Sequence, residues 1–134
     1  MQSLQTFTWP VRVYYEDTDS GGVVYHSQYL NFMERARTEY LRHLGFELDV
    51  LQNNFGIIFV VHSMQIAFKK PAKFNDCLQI ASQITKIGFG SFECAQSITL
   101  GAQTLITAQV KVACVNAISF KPSAIPAPIK QKLT

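Results

Sequence analysis

Charge is scarce in this chain. Asp, Glu, Lys and Arg make up 16% of its 134 residues, against 48% apolar. That balance belongs to a globular protein, and the length suits one domain spanning residues 1–134 with a real core. The net charge of +3 is too small to imply a nucleic-acid partner. Few charges alongside many Phe and Tyr point instead to apolar surface covered by another subunit. Cysteine is also sparse: Cys77, Cys94 and Cys114 lie far apart, with no Cys-x-x-Cys pair and no Cys/His cluster for zinc. Each sits in a strand-like run, so all three are expected to be buried, reduced thiols of a cytoplasmic protein. Long apolar runs are missing too. The longest, Ile57 to Val61, is far too short to insert in a membrane. Met1 to Gln5 has neither the charged start nor the apolar core of a secretory leader.

The charges that are present are unevenly placed. All four arginines and seven of the nine acids fall in residues 1–68, whereas all eight lysines fall in residues 69–134. A Lys-rich second half suits a phosphorylated ligand, though scattered solubilising lysines would look the same.

One long helix is legible, from Ser27 as N-cap to Leu44, with Gly45 as its stop. Tyr29, Met33, Ala36, Tyr40 and Leu44 recur at three- and four-residue steps, and Leu30, Arg37 and Leu41 flank them. A rod of about 27 Å with so wide an apolar face needs a whole sheet as partner. A short helical turn over Leu48 to Gln52 is expected to break at Asn53-Asn54. Before the long helix, Phe7 to Tyr15 is strand-like, most clearly from Val11, and Pro10 marks it as an edge. After it come four alternating runs. Ile58, Val60, His62, Met64, Ile66 and Phe68 share one face of the first, with His62 read as a core histidine. The others are Leu78 to Ile84, Phe92 to Leu100 and Ile106 to Cys114. No second long helix intervenes, so parallel βαβ units are excluded and an antiparallel sheet is favoured. The fold class is α+β, with one helix wrapped by roughly five strands. The Pro-rich tail from Lys121 is expected to lie extended over the surface, with a helical turn at Ile129 to Leu133.

Between the first strand and the helix lies Tyr15-Glu16-Asp17-Thr18-Asp19-Ser20-Gly21-Gly22-Val23-Val24-Tyr25-His26. A mere connector gains nothing by crowding three carboxylates. Calcium is excluded by pattern, since an EF-hand loop starting at Asp17 would need a Glu where Gln28 stands. There is no Asp-Thr-Gly pair, no Gly-x-Ser-x-Gly elbow and no P-loop. Carboxylate chemistry beside a helix N-terminus survives.

These residues carry a resemblance. The stretch VRVYYEDTDSGGVVYHSQYLNFMERARTEYLRHLGF is similar to the first half of the hotdog-fold acyl-CoA thioesterases of the 4-hydroxybenzoyl-CoA thioesterase type, in particular their Tol-Pal-associated YbgC branch. Asp17, Asp19, Gly21-Gly22, Val23-Val24, Tyr25 and His26 match the motif. Phe68 to Ala72, Asp76 and the last strand agree more loosely. The resemblance implies a hotdog fold, dimers with sites at the subunit interface, and their pairing into homotetramers. It implies Asp19 as the catalytic carboxylate, with His26 as a second active-site residue and no cofactor or metal. Asp19 would attack a thioester carbonyl or activate water, beside donors at the helix start. Asp17 would brace the loop, Gly22 would let the backbone approach the ligand, and Tyr25 would line the acyl channel. Lys70 and Ser91 are the candidates for the coenzyme A end. Some relatives have paired arginines near the second turn, where this chain has Gly88-Phe89, so an acyl carrier protein is the alternative partner. A pure acyl-binding module is the alternative function, but binding alone has no use for a carboxylate opposite the thioester.

Overall fold

A computed structural model describes residues 6–134. Met1 to Gln5, which has no leader pattern in sequence, lies outside the described residues. Five strands form one antiparallel sheet: β1 (Phe7–Arg12), β2 (Ile57–Phe68), β3 (Cys77–Ile87), β4 (Ser91–Leu100) and β5 (Gln103–Asn116). Their spatial order is β1-β3-β4-β5-β2, which leaves β1 and β2 as the two edges. The long helix α1 (His26–His43) packs against one face of the sheet. Two short helices, α2 (Leu48–Phe55) and α3 (Ala127–Leu133), complete the chain. One helix wrapped by one sheet is the hotdog arrangement.

The helix buries the face its spacing prescribes: Tyr29, Phe32, Met33, Ala36, Tyr40 and Leu41. Leu30, expected beside them, is instead exposed. Arg37 does face the sheet, and a buried polar chain receives it. Its Nη1 donates to Gln96 Oε1 at 2.9 Å, and Gln96 Nε2 donates to the Met33 carbonyl at 3.0 Å and to Ser82 Oγ at 2.9 Å. Both amide hydrogens of a fully buried Gln are thereby used, which pins the helix to β3 and β4. Burial lowers the Arg37 pKa.

Several boundaries differ from the sequence reading, each for a physical reason. The helix begins at His26 rather than after a Ser27 cap. Tyr25 is the N-cap, in extended conformation and without a side-chain cap, because the loop's own bonds hold the entrance. The helix α2 runs through Asn53-Asn54 to Phe55 and stops only at Gly56, whose φ of 67° supplies the left-handed cap. Asn is a mild helix breaker, and buried Leu51 outweighs it. The first strand ends at Arg12, and Tyr15–Asp17 winds into a 3₁₀ turn. Pro10 sits inside β1, tolerated because that strand pairs on one side only.

In β2 a register shift between Val61 and Ser63 inserts one residue, so side-chain parity reverses there. Ile57 and Phe59 therefore share the core face with Met64 and Ile66, and Ile58 and Val60 do not. His62 is exposed at the bulge, not a core histidine, with Ser63 Oγ 3.3 Å from its Nδ1. Cys94 and Cys114 are buried as expected, and burial pushes the Cys94 thiol up to about 11. Cys77, at the open start of β3, is exposed. The tail is more than a surface strap: Ile125, Ile129 and Leu133 enter the core.

Candidate active site

The acidic loop is folded by its own backbone. Asp19 N–H donates to the Val23 carbonyl at 2.9 Å, and Gly22 N–H donates back to the Asp19 carbonyl at 3.1 Å. Gly22 closes this ring with φ of 83°, a conformation that a side chain would strain. At Gly21 a Cβ would lie 3.2 Å from Asp19 Oδ1 and crowd the carboxylate. That oxygen accepts the Gly21 N–H at 2.8 Å. The carboxylate is exposed, and Oδ2 meets no protein donor among the described residues.

The two aspartates, two residues apart, have opposite surroundings. Asp17 is buried, at 6% exposure. Its Oδ2 accepts the Tyr14 N–H at 2.8 Å and its Oδ1 accepts from Gln28 Nε2 at 2.9 Å. Its carbonyl accepts the Tyr25 N–H at 3.1 Å. Asp17 thus ties the strand end, the loop and the first turn of α1 together, which is a bracing geometry. Asp19 is held by one oxygen and open at the other, free to meet a ligand.

The start of α1 adds donors. The first-turn N–H groups of a helix have no acceptor inside it. Gln28 N–H is taken by the Tyr25 carbonyl at 2.8 Å, whereas no backbone carbonyl takes those of His26 or Ser27 among the described residues. The helix dipole adds partial positive charge at the same point.

Beside this helix start lies an open groove of about 450 Å³, lined by Val24, His26, Tyr29, Phe68, Lys69, Lys70 and Pro71. The Lys69-to-Asp76 connection is stapled to the helix on its floor. Tyr29 Oη accepts the Ala72 N–H at 2.8 Å, and Val24 N–H donates to the Ala72 carbonyl at 2.9 Å. Burial raises the Tyr29 pKa, so its hydroxyl stays protonated. His26 stacks on Tyr25 with ring centres 4.8 Å apart and meets the edge of Phe68 at 6.1 Å. A larger hollow of about 690 Å³ lies on the outer face of the sheet, among residues such as Gln65, Ala67, Ala95 and Gln109. It has no titratable lining group, whereas the smaller groove carries His26, Tyr29, Lys69 and Lys70.

The fold brings His26 and Lys70 into one groove, with Tyr25 against His26 and the Asp19–Gly22 ring joined to it through Val24. It does not bring Ser91 there within one chain. Ser91 is in register with Ala113, and Ala113 with Val60, near the start of β2, whereas Phe68 and Lys70 lie at its other end. Two participants have no sequence signal, Gln28 as the partner of Asp17 and the Tyr29 hydroxyl as a loop anchor, and Phe68, which lies in the loosely matching Phe68 to Ala72 segment, is a groove wall. Each acts across a contact that only the tertiary fold creates.

A thioesterase-like superfamily model matches residues 13–133. The chain is 46% identical over 121 residues to the acyl-CoA thioester hydrolase YbgC of Escherichia coli O157:H7, covering 90% of each. It is 44% identical over 124 residues to the acyl-CoA thioesterase YbgC of Haemophilus influenzae, covering 92% of this chain and 91% of that one. Among solved structures, a probable thioesterase from Bartonella henselae superposes with a TM-score of 0.84 at 38% identity, over 92% of this chain and all (100%) of that one. The 4-hydroxybenzoyl-CoA thioesterase from Pseudomonas sp. strain CBS-3 shares the fold, with a TM-score of 0.87 at 21% identity, over 95% of this chain and 98% of that one.

Proposed function

The chain belongs to the thioesterase-like superfamily, and from that premise we propose that it hydrolyses acyl-CoA thioesters at the junction of the Asp19 loop and the start of α1. The observation that carries the site is the contrast between Asp17, buried and doubly bonded, and Asp19, exposed with one oxygen open. Asp19 acts on the thioester carbonyl carbon. It either attacks directly, forming a mixed anhydride that water then cleaves, or takes a proton from the water that attacks. Both routes place negative charge on the carbonyl oxygen, and the unpaired N–H groups of the first helical turn are the donors for it. His26, on the same turn, orients the substrate and supplies the proton for the departing thiolate. Gly22 keeps the loop tight against the ligand, and Tyr25, Tyr29 and Phe68 supply the apolar surface for a short-chain or aromatic acyl group. Lys70, with Lys69 beside it, is the cation for coenzyme A phosphate.

The working unit is a dimer joined along β2, the edge strand that β5 covers on one side only. In that dimer Ser91 serves the partner's site, since its end of the sheet then lies beside the partner's groove. The outer face of the sheet, uncharged around Gln65, Ala95 and Gln109, is the surface on which dimers pair into tetramers. The three unpaired cysteines suit the cytoplasm. Among the described residues no helix is long and apolar enough to cross a membrane.

The direct test is a panel of acyl-CoA thioesters of varied chain length and aromaticity, followed by release of free thiol. Turnover is expected, strongest for short or aromatic acyl groups, and silence across the panel would refute the substrate assignment. Activity should also depend on protein concentration. Specific activity is expected to collapse on dilution in step with dissociation to monomers by sedimentation, and a fully active monomer would disprove the shared site.

A further inference from the structure

The turn after β5 is built rigidly and presents its apolar side chains to water. Asn116 Oδ1 accepts the N–H groups of Ile118 and Ser119 at 2.9 and 3.0 Å. Phe120 N–H donates to the Asn116 carbonyl, and Asn116 N–H to the Lys121 carbonyl, both at 2.9 Å. Phe120 holds φ of 60°, a left-handed conformation that a bulky residue adopts only when its surroundings impose it. Yet Ile118 is 90% exposed and Phe120 66%. A strained, anchored turn that displays large apolar groups marks a contact surface.

A second observation says what covers it. The free edge of β2 is 12 residues long, and Val60, Val61 and Phe68 along it are exposed. Such an edge recruits another strand, and an antiparallel pairing is self-complementary about a two-fold axis. Two copies joined this way set the start of one β2, at Ile57, against the end of the other, at Phe68. Ile57 is in register with Asn116, and Ala117 N–H donates to the Gly56 carbonyl at 2.9 Å. The 117–120 turn therefore runs off the same end of the seam as the partner's Phe68, Lys69 and Lys70. Two strand spacings, about 10 Å, separate the two backbones, a gap that facing side chains and an acyl group fill.

We propose that Ile118 and Phe120 form the outer wall of the partner's acyl groove, so that this turn sets which acyl groups the site accepts. The substrate class rests on the thioesterase reading above; the placement across the seam does not.

The test separates the two. The double variant Ile118→Ser, Phe120→Ser alters exposed positions and is expected to keep its melting temperature and dimer. Its kcat/KM for the preferred acyl-CoA should fall about tenfold, with discrimination among acyl groups flattened. Mixed dimers with an Asp19→Asn chain then have one site with Asp19 and an intact partner turn, so selective turnover should return. No recovery in verified mixed dimers would place the turn in its own chain's site and overturn the proposal. A second measurement needs no catalysis. In a Cys77→Ser background, a chain carrying Ile118→Cys is mixed with a differently tagged chain carrying Lys70→Cys. A bis-maleimide of about 10 Å should join the two chains. Cross-linking confined to higher aggregates, or none in a confirmed dimer, would overturn the placement. Cross-linking without hydrolysis of any acyl-CoA would uphold the placement and remove its role in acyl choice.

Discussion

Asp19→Asn is expected to lower kcat for acyl-CoA hydrolysis by about a thousandfold or more, while the melting temperature and oligomeric state stay those of the wild type. The fold is spared because the bond that shapes the loop uses Asp19 Oδ1 as acceptor for the Gly21 N–H, and an Asn keeps that oxygen. What Asn lacks is the negative charge, needed equally for attack on the carbonyl and for taking a proton from water. His26→Ala should cost less, about ten- to a hundredfold, because water can protonate a thiolate leaving group unaided. Wild-type turnover by Asp19→Asn would remove Asp19 from the mechanism. In a single turnover in ¹⁸O-labelled water, label entering the Asp19 carboxylate marks direct attack, with water opening the anhydride at the Asp19 carbonyl carbon; activated water puts label in the released acid alone, as does an anhydride opened at its acyl carbon.

The second large effect concerns stability. Asp17→Ala removes the acceptor of two donors, the Tyr14 N–H and Gln28 Nε2, at a position only 6% exposed. Orphaned donors cost about 1–3 kcal/mol each where water does not reach them. A loss of about 3 kcal/mol and a fall in melting temperature of about 10 °C are expected. Activity should fall as well, although Asp17 does not touch the substrate, because the same residue holds the Tyr25 N–H through its carbonyl and so sets the entrance to α1. Asp17→Asn should lose less, since one side-chain oxygen remains as acceptor and the Gln28 amide can turn to accept from the new NH₂. Thermal unfolding of the three proteins side by side tests this order. An Asp17→Ala protein as stable as the wild type would end the bracing role.

Much of the fold was legible before any coordinates. The helix face from Tyr29 to Tyr40 repeats at a period only a helix can bury on one side, and its width called for a sheet. The four later strands alternate with turn residues between them, and Pro10 marked an edge. Errors arose where a local rule met a tertiary one. The His62 bulge reversed side-chain parity in β2, and no residue type there announces an inserted position. Asn53-Asn54 failed to stop α2 because burial of Leu51 outweighed a small propensity. The tail docked because Ile125, Ile129 and Leu133 found core space that a linear pattern does not show.

The same division runs through the site. By itself the sequence determined that carboxylates, two glycines and a helix start meet within twelve residues, because these groups are neighbours along the chain and their chemistry travels with them. It also singled out Asp19 over Asp17, through the motif. Only the tertiary structure decided why the two differ: Gln28 and the Tyr14 backbone reach Asp17 and leave Asp19 open. Likewise only the fold set Phe68 and Lys70 beside His26, and put Ser91 at the other end of the sheet. Hydrogen bonding and burial depend on which distant segments arrive at a point, and that is settled when the sheet closes round the helix.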